Sequence, residues 1–186
     1  MVKKMNKSNE ISNVLFICYA NTCRSPAAEY FANGLKQTKY KNELTDVNFD
    51  SAGWHDAFDY AQPETINYIQ SKGLDISDFR PKVITRELLK KQDLIIGMER
   101  YHLVKLKNKF RDLKKELDGK LFALKQFNGA TKKKDVNIPD PYRTGVENYN
   151  RILKIVEENV EKLVIKIIEV NKSKKKEKNN YQFKQN

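Results

Sequence analysis

Residues 14–18, Val-Leu-Phe-Ile-Cys, form an uninterrupted run of apolar side chains, and a helix-start signal, Ser25-Pro26, follows shortly after it. A run this short and this apolar is typical of a strand buried on both faces of a parallel sheet. Serine before proline is typical of the first turn of a helix, with the serine as its capping residue. The chain therefore begins as a strand–loop–helix unit, which favours an α/β fold.

The rest of the chain repeats this alternation of short apolar strands and amphipathic helices. We predict further strands at residues 47–53, 93–98 and 120–124, and helices at residues 63–73, 85–92, 99–110 and 146–170. Such alternation is typical of one three-layer α/β/α domain with a mostly parallel sheet, which we assign to residues 11–170. In open sheets of this kind ligands bind beyond the carboxyl ends of the strands, where residue 18 leads into an unusual loop.

The formal net charge of +12 would suit a nucleic-acid-binding protein, but most of it lies at the two ends of the chain. Residues 171–186 contain six lysines against one glutamate, and residues 1–10 contain three lysines against one glutamate. We expect both ends to be solvated and flexible. The body is only modestly basic, which favours a small anionic group over nucleic acid as the partner. A basic nucleic-acid-binding module stays as an alternative.

The two cysteines, Cys18 and Cys23, make a poor disulfide framework for a chain of this length and favour a reducing, cytoplasmic compartment. No apolar run reaches the length of a membrane span, and the N-terminal segment lacks the cleavage site of a signal peptide. No cluster of His, Cys and carboxylates has metal-ligand spacing, so we expect neither a metal nor another cofactor. His55 and His102 are expected in a loop and on a helix surface, and the chain is expected to be a monomer.

The loop from Cys18 to Ser25 joins a strand to a helix N-terminus, so its backbone N–H groups converge as a cradle for a tetrahedral oxyanion. Arg24 adds a planar guanidinium that can hold two phosphate oxygens. The sulfur of Cys18 would lie beneath the anion, where the amides and the guanidinium favour its ionised form. A thiolate in that position is an in-line nucleophile toward phosphorus, and Ser25 can donate a hydrogen bond to it.

Residues 14–29, VLFICYANTCRSPAAE, resemble the phosphate loop of the low-molecular-weight protein tyrosine phosphatases. The resemblance continues in DSAG at 50–53, DLIIGMERYHLVKL at 93–106 and IPDPYR at 138–143, and it covers most of residues 13–170. It implies a four-stranded parallel sheet flanked by helices, with the phosphate loop between the first strand and the first helix. It also implies hydrolysis of a phosphotyrosine protein or a small aryl phosphate through a phosphocysteine.

An aryl oxygen leaves phosphorus more easily when an acid protonates it. Asp140, held between Pro139 and Pro141, matches the family's aspartate-proline acid, and its carboxylate can later activate the attacking water. The catalytic residues are thus expected to be Cys18, Arg24 and Asp140. Phosphate binding and loop support are assigned to Tyr19, Ala20, Asn21, Thr22, Cys23, Ser25 and Ser51.

Two positions depart from the family pattern within this support. The family's loop asparagine bonds a serine and a histidine, but Lys72 stands where the histidine would be. Lysine has only donors, so we expect Asn21 to bond Ser51 and backbone, with Lys72 turned outward. Ala20 replaces a glycine, and we expect ordinary dihedral angles there, because a positive φ would strain alanine.

Aromatic side chains should line the cavity that receives the substrate ring. For one wall the candidates are Trp54, favoured by chemical identity, and Phe58, favoured by its distance from the serine of DSAG. Tyr142 is expected to form the other wall. Arg143 stands where relatives have a second aromatic, which predicts a preference for acidic residues beside the phosphorylated one.

Cys23 is close enough in sequence to capture an oxidised Cys18 as a disulfide and protect it from further oxidation. The nearest alternative activity on the same fold is arsenate reduction, which passes a disulfide to cysteines later in the chain. No cysteine follows Cys23, which argues against that alternative.

Overall fold

The computed structural model describes residues 10–182, the last four by backbone only. The strands are β1 (Asn13–Cys18), β2 (Asn48–Gly53), β3 (Leu94–Gly97) and β4 (Leu121–Ala123). The helices are α1 (Arg24–Gln37), α2 (Pro63–Ser71), α3 (Arg86–Lys90), α4 (Arg100–Lys109), α5 (Leu124–Phe127) and α6 (Val146–Gln182). Of these helices, none within residues 10–182 combines the length and apolar character needed to cross a membrane.

The four strands form one parallel sheet in the order β2-β1-β3-β4, which confirms the predicted α/β fold. β1 lies between β2 and β3, with Cys18 paired to Gly53 and Ile17 paired to Gly97. The chain leaves β1 through α1 toward β2, while β3 lies on the other side of β1. The carboxyl end of β1 is therefore the switch point of the sheet, where such folds bind ligands.

Helices cover both faces of the sheet, so the three predicted layers are present. Val14, Phe16 and Cys18 of β1 face a core built with α1, α2, α5 and α6. Leu15 and Ile17 face a second core, built with α3 and α4. Side chains of a strand alternate between the two faces of the sheet, and because both faces of β1 are buried, nearly all of its residues are apolar. The same alternation places Cys18, the last residue of β1, on the side of α1.

The last helix is longer than the sequence pattern predicts. Its apolar stripe is buried as expected, but the predicted end at Val170 is wrong, because α6 continues to Gln182. Asn171 explains part of the extension, since its buried side chain bonds both the N–H and the C=O of Ile11, at 2.8 and 2.9 Å. Residues 171–182, expected to be flexible, are thus helical, while residues 1–9 and 183–186 lie outside the described residues.

Candidate active site

The loop between Cys18 and Arg24 packs directly against the end of β2. A Cβ atom added to Gly53 would lie 2.6 Å from the backbone N of Asn21 and 2.7 Å from the carbonyl carbon of Ala20, so only glycine fits there. Asn21 has a φ of 57° and carries the left-handed turn of the loop. Ala20 has no positive φ, which confirms that alanine is tolerated in place of glycine.

Cys18 is buried at the end of β1, and its sulfur lies 2.9 Å from Oγ of Ser25. The prediction of Ser25 as the capping residue of α1 is wrong, because the helix begins at Arg24 and its cap position is Cys23, without a side-chain capping bond. The hydroxyl of Ser25 instead points into the loop. It is therefore placed to bond the nucleophile rather than the helix end.

Asn21 is held by side chains and backbone, as predicted. Its Nδ2 donates to Oγ of Ser51 at 2.7 Å and to Oγ of Ser25 at 2.9 Å, while its Oδ1 accepts from the backbone N–H of Lys82 at 2.8 Å. Lys72 is turned away from the loop, with its ammonium 2.9 Å from Glu157. The contact from the Lys82 backbone could not be foreseen, because it joins residues 61 positions apart.

Arg24 is almost fully buried beneath the loop, and two carboxylates hold its guanidinium. Nη1 donates to Oε1 of Glu99 at 2.6 Å and to the carbonyl of Ile138 at 2.9 Å. Nη2 donates to Oδ2 of Asp140 at 2.6 Å. Nε is buried without a hydrogen-bond partner among residues 10–178. The fork is thus fixed in orientation, with a donor to spare for an anion.

Sequence reasoning missed Glu99 as part of the site. It precedes α4, where its side chain and that of His102 form a reciprocal capping box. The expectation of His102 on a helix surface is wrong: the side chain is buried, and its Nδ1 accepts from the N–H of Glu99 at 3.1 Å. Burial, with help from the cationic Arg24 and Lys105, lowers the pKa of His102 to about 3, so the imidazole is neutral.

The candidate active site is a cavity of about 100 Å³ at the mouth of the loop. Its lining brings together the three predicted catalytic residues, four of the seven predicted loop-support residues, two of the predicted aromatic wall residues and Ala57. The lining residues are Cys18, Tyr19, Ala20, Thr22, Cys23, Arg24, Ala57, Phe58, Asp140 and Tyr142. Asp140 is partly exposed at the rim, and its Oδ1 accepts from the N–H of Tyr142 at 3.2 Å. A nucleophile, a cation and an acid therefore face one small space.

Phe58 and Tyr142 form the aromatic walls of this cavity, with ring centroids 6.1 Å apart and planes at 62°. Trp54, the other candidate, is misassigned, because it does not line the cavity. Its indole is buried in the core between the sheet and α4, where it stacks on Phe110 at 6.4 Å. The chain turns outward after Gly53, so Trp54 continues the strand's core face and Phe58 is the residue that returns to the mouth.

Arg143 lies at the outer side of the site and not in its lining. Its φ is 62°, and its guanidinium stacks over the ring of Tyr142 at 5.0 Å. It therefore supports the wall from outside. The predicted preference for acidic neighbours of the phosphorylated residue stays a prediction.

Cys23 is buried next to Tyr149 of α6, and burial raises the pKa of its thiol to about 12. It is thus a protonated thiol at neutral pH and cannot replace Cys18 as the nucleophile. Both cysteines are free. The predicted role of Cys23, to capture an oxidised Cys18 as a disulfide, stays a prediction.

Two other observations bear on the kind of site. A second cavity, of about 380 Å³, lies between α4 and β4, but its lining of lysines, apolar residues, an arginine, an asparagine and an aspartate contains no cysteine, serine, threonine or histidine. Within residues 10–178 no three His, Cys, Asp or Glu side chains come together in a way that could hold a metal ion.

The buried Cys18 and Arg24 bracket a loop that leads into a helix N-terminus at the switch point of a parallel sheet, which is the arrangement of an anion-binding site. Residues 13–178 match the family model described as low molecular weight phosphotyrosine protein phosphatase. The chain belongs to this family, and it is a phosphatase. A Drosophila melanogaster relative named low molecular weight phosphotyrosine protein phosphatase 1 is 32% identical, over 75% of this chain and 86% of its own.

Solved structures agree with this family assignment. A low molecular weight protein tyrosine phosphatase from T. tengcongensis is 31% identical, with a TM-score of 0.69 over 83% of this chain and 98% of its own. The YwlE arginine phosphatase from Geobacillus stearothermophilus is 27% identical, with a TM-score of 0.69 over 83% of this chain and 92% of its own. The family fold thus includes phosphatases named for two different phosphorylated residues.

Proposed function

We propose that this protein hydrolyses phosphotyrosine, in proteins or small aryl phosphates, through a phosphocysteine on Cys18. The observation that carries the proposal is the meeting of Cys18, Arg24 and Asp140 in one cavity with aromatic walls. Two free cysteines support placing the reaction in a reducing, cytoplasmic compartment. Both cysteines belong to the loop, which supports hydrolysis over arsenate reduction.

Substrate binding begins with an exchange of partners on Arg24. Nη2 of Arg24 bonds Asp140, while Nε is buried and unpaired within residues 10–178. A phosphate that enters the cavity takes the fork formed by Nε and Nη2, which releases Asp140 toward the leaving oxygen. Nη1 stays on Glu99, so the guanidinium does not turn during the exchange.

The first chemical step forms the S–P bond and breaks the bond between phosphorus and the aryl oxygen. The Cys18 thiolate supplies the electron pair, and protonated Asp140 gives its proton to the departing oxygen. In the second step a water oxygen attacks phosphorus while the Asp140 carboxylate takes a proton from it. The S–P bond then breaks, inorganic phosphate leaves, and the hydroxyl of Ser25, 2.9 Å away, stabilises the returning thiolate.

Asp140→Asn should slow the first step most for poor leaving groups, because an amide has no acidic proton to give. We expect kcat/KM for phenyl phosphate, which reports this first step and not the common hydrolysis of the phosphocysteine, to fall by about 10³-fold, within the range that general acids contribute. For p-nitrophenyl phosphate, whose leaving group needs less protonation, the loss should be clearly smaller. Steady-state kinetics with the two esters measure this. Equal losses for both would contradict the role of Asp140 as acid.

Phosphoarginine is the second candidate substrate, since one structural relative is an arginine phosphatase. The hydroxyl of Thr22 and the carboxylate of Asp140 line the same cavity and could bond a guanidinium. We favour tyrosine, because Phe58 and Tyr142 pack edge to face in the lining and present apolar aromatic surface to a substrate ring.

Two peptides of one sequence, carrying either phosphotyrosine or phosphoarginine, separate these candidates. We expect kcat/KM for phosphotyrosine to exceed that for phosphoarginine by at least about 10²-fold. Phe58→Ala should raise KM for the phosphotyrosine peptide, while Trp54 variants should act through stability. A preference for the phosphoarginine peptide would overturn the proposed substrate and leave the phosphatase assignment in place.

A further inference from the structure

A chain of four hydrogen bonds leads from Cys18 to a carboxylate outside the cavity. Oγ of Ser25 lies 2.9 Å from the sulfur of Cys18 and accepts from Nδ2 of Asn21 at 2.9 Å. The same Nδ2 donates to Oγ of Ser51 at 2.7 Å. Ser51 in turn donates to Oε2 of Glu29, on α1, at 2.6 Å. Neither the catalytic steps nor the sequence motifs assign any role to Glu29.

The directions of the bonds in this chain follow from Asn21, except that of the Ser25–Cys18 contact, in which either atom can donate while Cys18 is a thiol. The backbone N–H of Lys82 donates to Oδ1 of Asn21, so the amide must turn its two N–H groups toward the hydroxyls. Each hydroxyl has accepted from Asn21 and has its own hydrogen left to donate. Ser51 directs its hydrogen to Glu29, and Ser25 directs its hydrogen to Cys18 when Cys18 is a thiolate, which has no proton to donate. The chain needs an acceptor at both ends, which suits a thiolate at one and a carboxylate at the other.

We propose that Glu29 is a positioning residue: its ionised carboxylate holds Ser51 as the acceptor for Asn21, and its protonation loosens the phosphate-binding loop around Cys18. A protonated carboxyl is a weaker acceptor, and its own O–H competes with Asn21 for the oxygen of Ser51. Asn21 carries the left-handed turn of the loop, so a looser Asn21 spreads the backbone amides that bind phosphate. Glu29 thereby makes phosphate binding depend on pH.

The surroundings of Glu29 place its titration in the neutral range. Burial raises the pKa of Glu29 to about 7; the hydrogen bond from Ser51 opposes this shift, the Asp50 carboxylate of β2 adds to it, and the Lys82 ammonium opposes it. Tyr30, the next residue on α1, also senses the charge of Glu29. The ammonium of Lys82 pairs with Asp50. This cation next to the pair limits the direct repulsion that an ionised Glu29 would exert on a bound anion.

Sulfate binding tests the proposal, because sulfate keeps one charge state from about pH 5.5 to 8.5, whereas phosphate changes its charge within that range. The measurement is the Kd of sulfate by calorimetry in a Cys18→Ser background, with and without Glu29→Gln. We expect the two proteins to bind alike below about pH 6 and the Glu29 protein to bind about threefold more tightly above pH 8. A ratio that stays flat, or falls as pH rises, overturns the proposal.

Two further variants sharpen this result. Ser51→Ala leaves Glu29 in place but removes its link to Asn21, so the pH dependence specific to Glu29 should disappear. Glu116→Gln removes an exposed carboxylate and should bind sulfate like its parent at every pH. If Ser51→Ala keeps the pH dependence, the effect of Glu29 is long-range electrostatics and the positioning role is wrong.

Thermal unfolding shows independently whether Glu29 titrates. Folding raises the pKa of Glu29 from 4.5 to about 7, so the folded protein binds more protons between these values and loses stability as pH rises through them. The Tm of Glu29→Gln should lack this decline. No difference between the two Tm profiles would overturn the proposal. The positioning role of Glu29 rests on the proposed function only in that the loop binds phosphate. Because sulfate binding needs no turnover, the positioning role can fail while the proposed hydrolysis of phosphotyrosine holds, and the reverse is also possible.

Discussion

Cys18→Ser should lose at least about 10⁴-fold in kcat toward p-nitrophenyl phosphate, because the serine hydroxyl does not ionise at neutral pH and the covalent step is lost. The fold should survive, since oxygen replaces sulfur at a position where Ser25 already offers a hydrogen bond. We expect phosphate and vanadate to bind the variant still, because the amides and Arg24 hold the oxyanion. The loss therefore falls on chemistry rather than on binding.

Cys23→Ser is the matched control for this prediction. Cys23 belongs to the same loop, but its thiol is buried against Tyr149 and its pKa is raised to about 12. Its serine variant should keep activity within about tenfold of the parent, the remaining loss coming from the repacked thiol. If Cys18→Ser and Cys23→Ser lose activity to a similar extent, both substitutions damage the loop as a whole, and the activity does not depend on the sulfur of Cys18 alone.

Arg24→Lys should cost about 10³-fold in kcat/KM although it keeps the charge. The guanidinium meets Glu99 and Ile138 through Nη1 and Asp140 through Nη2, and it has Nε left for the substrate. A single ammonium cannot keep the carboxylate of Glu99 and also present two parallel N–H groups to phosphate. The half-buried carboxylate of Glu99 would lose part of its hydrogen bonding to residue 24, so stability should fall as well.

Arg143→Lys provides the comparison for Arg24. Arg143 is exposed and stacks on the outer face of Tyr142, outside the cavity lining. We expect its lysine variant to stay within about threefold of the parent in kcat/KM, since surface substitutions have small effects. If Arg24→Lys also stays within that range, the forked contact with phosphate is not what Arg24 provides.

The parts of the site that lie close together in sequence could be predicted. The strand, the loop and the helix start follow from a short stretch in which local residue choices agree, and that stretch contains Cys18, Asn21, Arg24 and Ser25. The buried stripe of α6 follows from its spacing in the same way. The structure brings Asp140 to Arg24 across 116 positions, a contact that only the resemblance to a family indicated.

The parts that were missed depend on tertiary contacts. Glu99 is the first residue of the predicted helix at 99–110, and in the structure it caps α4. Its bond to Arg24 exists because β1 and β3 are neighbours in the sheet. Which of Trp54 and Phe58 lines the cavity depends on the path of the chain after β2. Residues 54–58 have no regular hydrophobic period from which that path could be predicted. Pairing with the N-terminal segment helps extend α6 beyond Val170, since Asn171 needs Ile11 as its partner.

Detection of the covalent intermediate tests the account most directly. Asp140→Asn slows the hydrolysis of the phosphocysteine as well as its formation, so rapid acid quenching of this variant with p-nitrophenyl phosphate should capture phosphorylated enzyme. Mass spectrometry of the digested protein is predicted to place one phosphoryl group on Cys18 and none on Cys23. A phosphoryl group on another residue, or none at any time during turnover, would contradict the assignment of Cys18 as the nucleophile.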